Sequence, residues 1–284
     1  MANENIIQAI ILGLVQGISE FLPISSTGHL TIVGKLLNQI DLNNPERWTQ
    51  FIAVIQLGTM LSILVYFYKD LIVIVKDFFN DNFFNRKEIS KQSENSQMGW
   101  MIILGTIPIV VLGLGFKKII EGHLTKNLFV IATMLIVVAI IMFIAEKFTK
   151  NNRETKNLNW KDALIIGIAQ SFALIPGVSR SGSTITAGLF LNIRRDVAAR
   201  FSFLLSIPAV FASGLLELKE SLPYIIHSGL LNVTVATVVS FISGYLAIDF
   251  LIKYLKTKTT LIFIVYRILI GILIFLLLNL NIIK

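Results

Sequence analysis

The sequence contains no cysteine and few charged residues. Without cysteine there is no disulfide framework, no thiolate chemistry and no thiol-ligated metal. Charged residues make up 15% of the 284 positions, whereas soluble domains carry about 25%. No lysine or arginine precedes Lys35, so a cleaved signal peptide is not expected. The net charge of +8 comes from residues between apolar segments, so no nucleic-acid partner is expected either.

Apolar sequence dominates what is present, with 55% hydrophobic residues and a mean hydropathy of +0.76. Six stretches approach the ~20 residues that a spanning helix needs. These are 51–67, 100–116, 128–145, 201–216, 233–252 and 261–282. Four shorter stretches flank two Pro/Gly-rich loops, at 6–15, 30–37, 163–175 and 185–193. We predict an all-α integral membrane protein with about six spanning helices and two re-entrant helix–loop–helix hairpins, because irregular backbone at membrane depth is tolerated when buried in protein.

The two halves of the chain resemble each other. Segments 13–16 and 167–170 both read Gly-x-x-Gln, and the loops that follow align Ser26 with Ser179 when one-residue slips are allowed. We therefore predict two repeats, 1–150 and 151–284, each made of one hairpin and three spans. An odd number of crossings inverts the second repeat relative to the first, and sites in such folds lie near the midplane where the repeats meet.

The loop charges orient this predicted topology. Of the 25 Lys and Arg residues, sixteen fall on one predicted face and seven on the other, while Arg180 and Arg267 lie within membrane segments. The positive-inside rule assigns the first face to the cytoplasm. Both termini are then expected outside. Eight spans remain open if one hairpin crosses fully. Segment 80–97 is expected to be a solvated cytoplasmic loop.

The two hairpin loops carry the polar residues that could do chemistry, and such residues at membrane depth are usually functional. The first loop offers Glu20, Ser25, Ser26, Thr27 and His29; the second offers Gly177, Ser179, Arg180, Ser181, Gly182, Ser183 and Thr184. A helix beginning near Ser183 would aim free N–H groups at the second loop, which makes an anion site. Arginine suits bidentate phosphate or carboxylate binding.

Each of these polar groups could also have a purely structural role. Ser and Thr could cap helices, His29 could be a capping residue, Glu20 could pair with Arg180, and Arg180 could reach the interface. Arg267 could reach the site, but an arginine next to Tyr266 is more often expected to extend to the membrane surface. Taken together, a carboxylate, hydroxyls and an imidazole opposite an arginine favour phosphoryl chemistry. A hydroxyl activated by His29 and oriented by Glu20 would be the nucleophile.

The motifs Gln16-Gly-x-x-Glu20-Phe-Leu-Pro-x-Ser-Ser-Thr-Gly-His29 and Pro176-Gly-x-Ser-Arg-Ser-Gly182 resemble those of the bacterial undecaprenyl-diphosphate phosphatase family, known for bacitracin resistance. Length, span count and internal symmetry fit over nearly the whole chain. The resemblance implies a plasma-membrane enzyme that removes the terminal phosphate of a polyprenyl diphosphate lipid at a site opening to the extracytoplasmic face. This reaction recycles the lipid carrier for cell-wall synthesis.

By the same resemblance, Ser26 is the nucleophile, His29 its proton-transfer partner and Glu20 an essential carboxylate. A phospho-intermediate on His29 is the rival mechanism. Arg180 would hold the diphosphate with the remaining loop residues. The predicted substrate-binding residues are Gln16, Ser25, Thr27, Gly177, Ser179, Ser181, Gly182 and Thr184.

One departure concerns metal binding, since many family members have Glu where this chain has Gln16. An amide is a weaker ligand, so a dedicated metal site is not expected. A divalent cation, Mg²⁺ or Ca²⁺, would instead arrive with the substrate diphosphate, with Glu20 as its one candidate protein ligand.

A transporter or flippase of an anionic lipid or solute is the main alternative, because inverted repeats also suit transport. Transport needs Arg180 but has no need of the Ser26–His29 pair. Another class of lipid phosphatase is excluded because its Ser-Arg motif requires a histidine where Thr186 stands here. Chain-length specificity and a homo-oligomeric state are left open.

Overall fold

The structure, a computed structural model, describes residues 5–40, 45–115, 127–228, 230–280 and 282. Helices account for nearly all of this part of the chain. They are α1 (Ile6–Phe21), α2 (Ser26–Leu36), α3 (Pro45–Tyr66), α4 (Tyr68–Phe79), α5 (Glu94–Gly115), α6 (Leu128–Phe148), α7 (Trp160–Ser171), α8 (Arg180–Phe190), α9 (Arg195–Ser228), α10 (Leu230–Leu255) and α11 (Leu261–Asn279). A π-helical turn, Asn80–Phe84, and 3₁₀ turns at Ile89–Lys91, Thr155–Asn157 and Phe172–Leu174 complete them.

Six of the described helices are long and apolar enough to cross a bilayer, which confirms an integral membrane protein of the all-α class. The candidate spans are Trp48–Tyr66, Glu94–Gly115, Leu128–Phe148, Arg195–Leu215, Leu230–Leu255 and Leu261–Asn279. Helices α2 and α8 have 11 residues each and α7 has 12. At ~1.5 Å per residue they reach about 16–18 Å, roughly half of a ~30 Å hydrocarbon core. Short paired helices of this length are what re-entrant hairpins require.

The first helix of each hairpin packs closely against a spanning helix of the other half. Helix α1 lies against α10, and α7 lies against α5. A methyl group added at Gly17 would come within 2.7 Å of the Gly244 backbone nitrogen, and one at Gly167 within 2.2 Å of the Gly105 carbonyl oxygen. These matched contacts are those that two related halves would make. The inverted repeat and the 1–150/151–284 boundary stay predictions.

Segment 80–97 is more ordered than the predicted solvated loop. Asp81 is buried, forms an ion pair with Lys87 at 2.7 Å and accepts a hydrogen bond from the Ser93 backbone N–H at 2.8 Å. Gln92 and Ser96 are also buried and hydrogen-bonded to each other. Residues 83–91 are exposed, as expected of a solvated loop, but this network anchors the segment at both ends, next to α4 and α5.

Candidate active site

In each hairpin, a serine with a left-handed backbone conformation immediately precedes the second helix. Ser25 has φ 77° and Ser179 has φ 72°. Each hydroxyl caps its helix by accepting the backbone N–H three residues on, at 3.4 Å from Gly28 and 3.2 Å from Gly182. Left-handed backbone at a residue other than glycine costs about 1–3 kcal/mol and clusters at functional sites.

These caps correct two details of the sequence reading. Ser25 rather than Ser26 corresponds to Ser179, and Ser26 therefore corresponds to Arg180, the first residue of α8. Helix α8 begins at Arg180 and not near Ser183. Hydroxyl capping three residues ahead, rather than the resumption of apolar sequence, sets the start of the helix.

Glu20 joins the two hairpins. Its Oε2 accepts a hydrogen bond from the Ser26 hydroxyl at 2.9 Å, and its Oε1 accepts one from Arg180 Nη2 at 2.9 Å. Gln16 donates to the same Oε2 at 3.2 Å and also lies 3.5 Å from the Thr59 hydroxyl. The side chains of Glu20 and Arg180 are 9% and 11% exposed, so the ion pair is largely shielded from water. The predicted carboxylate, hydroxyl and guanidinium thus meet at one place.

Arg180 has donor capacity to spare. Its Nη1 is buried and finds no acceptor among the described residues. A buried donor left without a partner is costly. Ser26 and Arg180 are also the first residues of their helices, whose leading N–H groups have no intrahelical acceptor. The geometry therefore suits an anion that would accept from Nη1 and from the start of α2 or α8.

His29 does not contact Ser26 as predicted. Its Nδ1 lies 2.7 Å from the Ser25 carbonyl oxygen, and its Nε2 lies 2.7 Å from the Tyr266 hydroxyl. The two rings are stacked, with centroids 5.5 Å apart and planes at 8°. In this structure Glu20 is the partner of the Ser26 hydroxyl, because Glu20 and Ser26 face each other across the end of α1 whereas the imidazole points toward α11.

Arg267 contradicts the expectation that it reaches the membrane surface. Its side chain is fully buried and donates only to backbone carbonyl oxygens. Its acceptors are Pro23 at 3.1 Å, Gly177 at 3.0 Å, Val178 at 3.1 Å, Met134 at 3.3 Å and Leu135 at 3.2 Å. Arg267 therefore ties both loop tips to α6.

Several predicted substrate-binding groups also hold the loops together. Ser181 is buried and donates to the Leu22 carbonyl at 3.1 Å, which joins the second hairpin to the first. Thr184 is buried and bonds to Ser202 and to the Arg180 carbonyl. Gly177 has φ +91°, and a methyl group there would lie 2.5 Å from the Ile131 carbonyl oxygen. Gly182 is buried beside the Ser179 cap, whereas Thr27 is exposed at the start of α2.

The second half lacks an equivalent carboxylate. The caps relate position 16 to 170 and position 20 to 174, so Leu174 stands where Glu20 stands in the first half. Gln170 is fully buried, and its side-chain amide has no partner in the described part of the chain. The hairpins therefore contribute different chemistry: a carboxylate and a hydroxyl from the first, a guanidinium from the second.

No group of three His, Cys, Asp or Glu side chains suited to a metal occurs in the described residues. Glu20 is engaged through both oxygens by Ser26 and Arg180. The positive charge of Arg180 beside this carboxylate also disfavours a second cation.

Tyr266 is the site residue that sequence reasoning missed. It precedes Arg267 in an otherwise apolar span, and this polar pair was the available signal. Six apolar spans around a buried carboxylate–guanidinium pair define a class: multi-pass membrane proteins with a charged centre built from two hairpins.

Comparison with known proteins gives the family. The model described as Bacitracin resistance protein BacA matches residues 9–273, and the chain belongs to this family. Curated relatives bear the name undecaprenyl-diphosphatase. The protein of Syntrophobacter fumaroxidans is 51% identical over 94% of this chain and 95% of its own. Those of Chloroherpeton thalassium and Chlorobaculum tepidum are 50% and 48% identical, each over 94% of this chain and 95% of theirs.

Proposed function

We propose that this chain hydrolyses undecaprenyl diphosphate, or a related polyprenyl diphosphate, to the monophosphate and inorganic phosphate in a bacterial membrane. The shared name of relatives about 50% identical over nearly the whole chain supports this activity. Recycling of the lipid carrier for cell-wall synthesis and resistance to bacitracin follow from the family.

The observation that carries the mechanism is the sharing of Glu20 between Ser26 and Arg180. The Ser26 hydroxyl would attack the terminal phosphorus while its proton passes to Glu20 Oε2. The bond from that phosphorus to the bridging oxygen breaks, and the lipid monophosphate leaves with the electron pair. Arg180 Nη1 and the leading amides of α2 and α8 would stabilise the charge on the phosphoryl oxygens.

The second step releases phosphate. Water would attack the phosphoserine at Ser26, and the serine oxygen would regain a proton from Glu20. The family resemblance makes His29 the proton-transfer partner of Ser26. In this step we assign His29 the proton that the water loses, which the imidazole then passes to solvent. Glu20 thereby acts as base and then as acid, which restores the starting enzyme.

A divalent cation remains part of the proposal only as a companion of the substrate. Mg²⁺ or Ca²⁺ would neutralise diphosphate oxygens that Arg180 does not reach. The chain's contribution to this arrangement is a shielded site with one arginine and one carboxylate.

The loop charges support an assignment of the side of the membrane on which the termini and the site opening lie. The excess of Lys and Arg in the loops assigned to the cytoplasm would place both termini and the opening of the site outside. A substrate headgroup could enter laterally between helices while its polyprenyl chain stays in the bilayer. Thr27 is exposed at the start of α2 and would be the first polar residue that such a headgroup meets.

The test is phosphate release from a long-chain polyprenyl diphosphate by detergent-purified protein with Mg²⁺ or Ca²⁺ present. Ser26→Ala and Glu20→Gln should each lower kcat by about 10²–10⁴-fold, since both remove the proton-transfer pair. Ser213→Ala is the matched control, because Ser213 is exposed and bonds within α9. Folded wild-type protein without activity would reject the enzyme assignment.

Acid- or base-quenched reactions separate the two mechanisms. Phosphate trapped on Ser26, stable in acid, supports the serine route. Acid-labile phosphate on His29 would replace it with the rival route through the imidazole.

Transport stays a second candidate because of one cavity. About 610 Å³ of space lies between the ends of α3, α5, α9 and α10 and is lined by Phe67, Asp70, Arg200 and Lys256, among others. Phe67 packs on Phe203, and Phe203 packs edge-on against Phe21, next to Glu20. Vesicles that carry a fluorescent polyprenyl phosphate in one leaflet test this function. Protein-dependent transfer of this lipid to the other leaflet that survives Ser26→Ala would support transport.

A further inference from the structure

Two hydrogen bonds define the state of the His29 ring. A carbonyl oxygen only accepts, so the contact from Nδ1 to the Ser25 carbonyl at 2.7 Å places a hydrogen on Nδ1. In the neutral ring Nε2 is then an acceptor, and the Tyr266 hydroxyl at 2.7 Å is the group that donates to it. The partner of one nitrogen fixes the tautomer at the other.

Tyrosine suits this position because its hydroxyl can both donate and accept. It donates to Nε2 when the imidazole is neutral and accepts from Nε2–H when the ring is protonated. The ring can therefore gain or lose a proton at Nε2 without turning. Stacking of the phenol on the imidazole further restricts rotation.

The two residues differ in exposure. Tyr266 is 37% exposed on α11, whereas His29 is only partly exposed beside buried Ser25 and Gly28. Among the described residues, Arg267 is the charged group that follows Tyr266 on α11 and faces the ring. Its guanidinium donates to the Pro23, Gly177 and Val178 carbonyl oxygens and not to Nε2.

We propose that Tyr266 is a positioning residue for His29: its hydroxyl holds the neutral Nδ1–H tautomer by donating to Nε2 and holds the protonated ring by accepting from Nε2–H, so that the imidazole keeps its place through phosphate release. This rests on the proposed phosphatase function.

Tyr266→Phe is the test, because it keeps the stacked ring and removes only the hydroxyl. We expect kcat for phosphate release to fall by about 10-fold or more with KM little changed, and the pH–rate limb assigned to His29 to shift. Tyr254→Phe is the matched control, since the Tyr254 ring packs against Phe250 and Phe263 and not against His29. Unchanged kcat and an unchanged pH profile in Tyr266→Phe would overturn the proposal while leaving the phosphatase function intact.

A double-mutant cycle tests whether Tyr266 acts through His29. In a His29→Gln background, Tyr266→Phe should cause no further loss of kcat. An equal loss in both backgrounds would show that Tyr266 acts by another route. Wild-type protein that releases no phosphate would reject the underlying function instead, so the two failures are distinguishable.

A spectroscopic readout is independent of turnover and of whether Tyr266→Phe folds. The chain has three histidines, so replacing His123 and His227 with Gln leaves His29 as the single ¹⁵N-imidazole signal. We expect Nδ1 to carry the hydrogen and Nε2 to show the shift of a hydrogen-bonded acceptor. A ring protonated on Nε2 and free at Nδ1 would overturn the proposal.

Discussion

Arg180 and Arg267 are buried arginines in two different environments. Arg180 faces a carboxylate and retains one buried nitrogen without an acceptor. Arg267 faces backbone carbonyl oxygens and is completely enclosed. A buried charge is tolerated only when paired or fully hydrogen-bonded. The first arginine is therefore suited to bind a further anion, and the second to fix the loops that position it.

At this scale, Arg267→Lys should destabilise the protein. Lysine has three donors on one nitrogen, so at least two of the five carbonyl acceptors would lose their partner at about 1–3 kcal/mol each. Thermal unfolding in detergent should show a lower midpoint, and phosphate release should fall because the loop tips separate. Arg200→Lys is the control, since its pair with Asp70 is 43% and 37% exposed and contributes under about 1 kcal/mol. Equal thermal-unfolding midpoints for the two variants would contradict the role of Arg267 in fixing the loop tips.

Small residues allow the helices to approach one another closely. Lipid gives no hydrophobic drive between helices, so close van der Waals packing and interhelical hydrogen bonds carry association. Gly167 meets Gly105 backbone to backbone. Ser62 and Ser240 add hydrogen bonds between α3 and α10, to the carbonyls of Phe241 at 2.7 Å and Ile55 at 2.9 Å.

At the scale of elements, Gly167→Ala should force α7 away from α5. Its methyl group would lie 2.2 Å from a backbone oxygen that cannot rotate aside, and overpacking of this kind costs at least about 1–3 kcal/mol. Gly113→Ala is the matched control on α5, because nothing lies within 4 Å of the added methyl. Thermal unfolding of both variants in the same detergent checks this; a midpoint for Gly167→Ala at the wild-type value would refute it.

The 80–97 segment gives an element-scale prediction for pH. The Lys87 ammonium and the Ser93 backbone N–H hold the pKa of Asp81 below its usual value of 3.8. A carboxyl group with a lowered pKa stabilises the fold fully above the unfolded value and loses that contribution as pH falls through the folded value. Hydrogen exchange at the Ser93 amide should therefore be slow from pH 7 to about 5 and accelerate relative to intrinsic exchange below about pH 4.

Asp81→Asn separates this effect from general acid unfolding. The variant should show fast exchange at Ser93 throughout the pH range, while Asp77→Asn, on α4 and bonded to Asn95, should behave as wild type at Ser93. Slow exchange in Asp81→Asn at pH 7 would argue against the Lys87–Asp81–Ser93 network as the cause.

The whole molecule is needed to build the site. Glu20 and Ser26 come from the first hairpin, Arg180 from the second, and Tyr266 and Arg267 from the last span. No single hairpin holds both the carboxylate and the guanidinium. Mutations that separate the halves should thus abolish activity even where every side chain of the site is retained.

At the scale of the whole molecule, we predict the orientation of the chain in the membrane. Because the chain has no cysteine, an introduced cysteine is the single site for thiol labelling. Ile89→Cys is exposed in the loop assigned to the cytoplasm, and Ile282→Cys is exposed near the terminus assigned outside. In intact cells a membrane-impermeant maleimide should label position 282 only, and both positions after the membrane is opened. Labelling of position 89 in intact cells would reverse the orientation.

The sequence by itself determined the class, the six spans and the two polar loops, because hydropathy over about 20 residues and backbone hydrogen bonding leave a membrane chain few alternatives. It also predicted that Glu20, Ser26, His29 and Arg180 belong together, since polar and charged groups at membrane depth require partners.

Only the tertiary structure decided which group is bonded to which. Hydrogen-bond partners depend on distances between side chains far apart in the chain, such as His29 and Tyr266. From the sequence, Arg267 was expected to extend to the membrane surface like other arginines near the end of a span. In the structure it is buried, because the loop carbonyl oxygens around it accept its hydrogen bonds. The start of α8 likewise follows from the left-handed backbone of Ser179, a conformation that serine adopts under the constraint of its surroundings and not by its own preference.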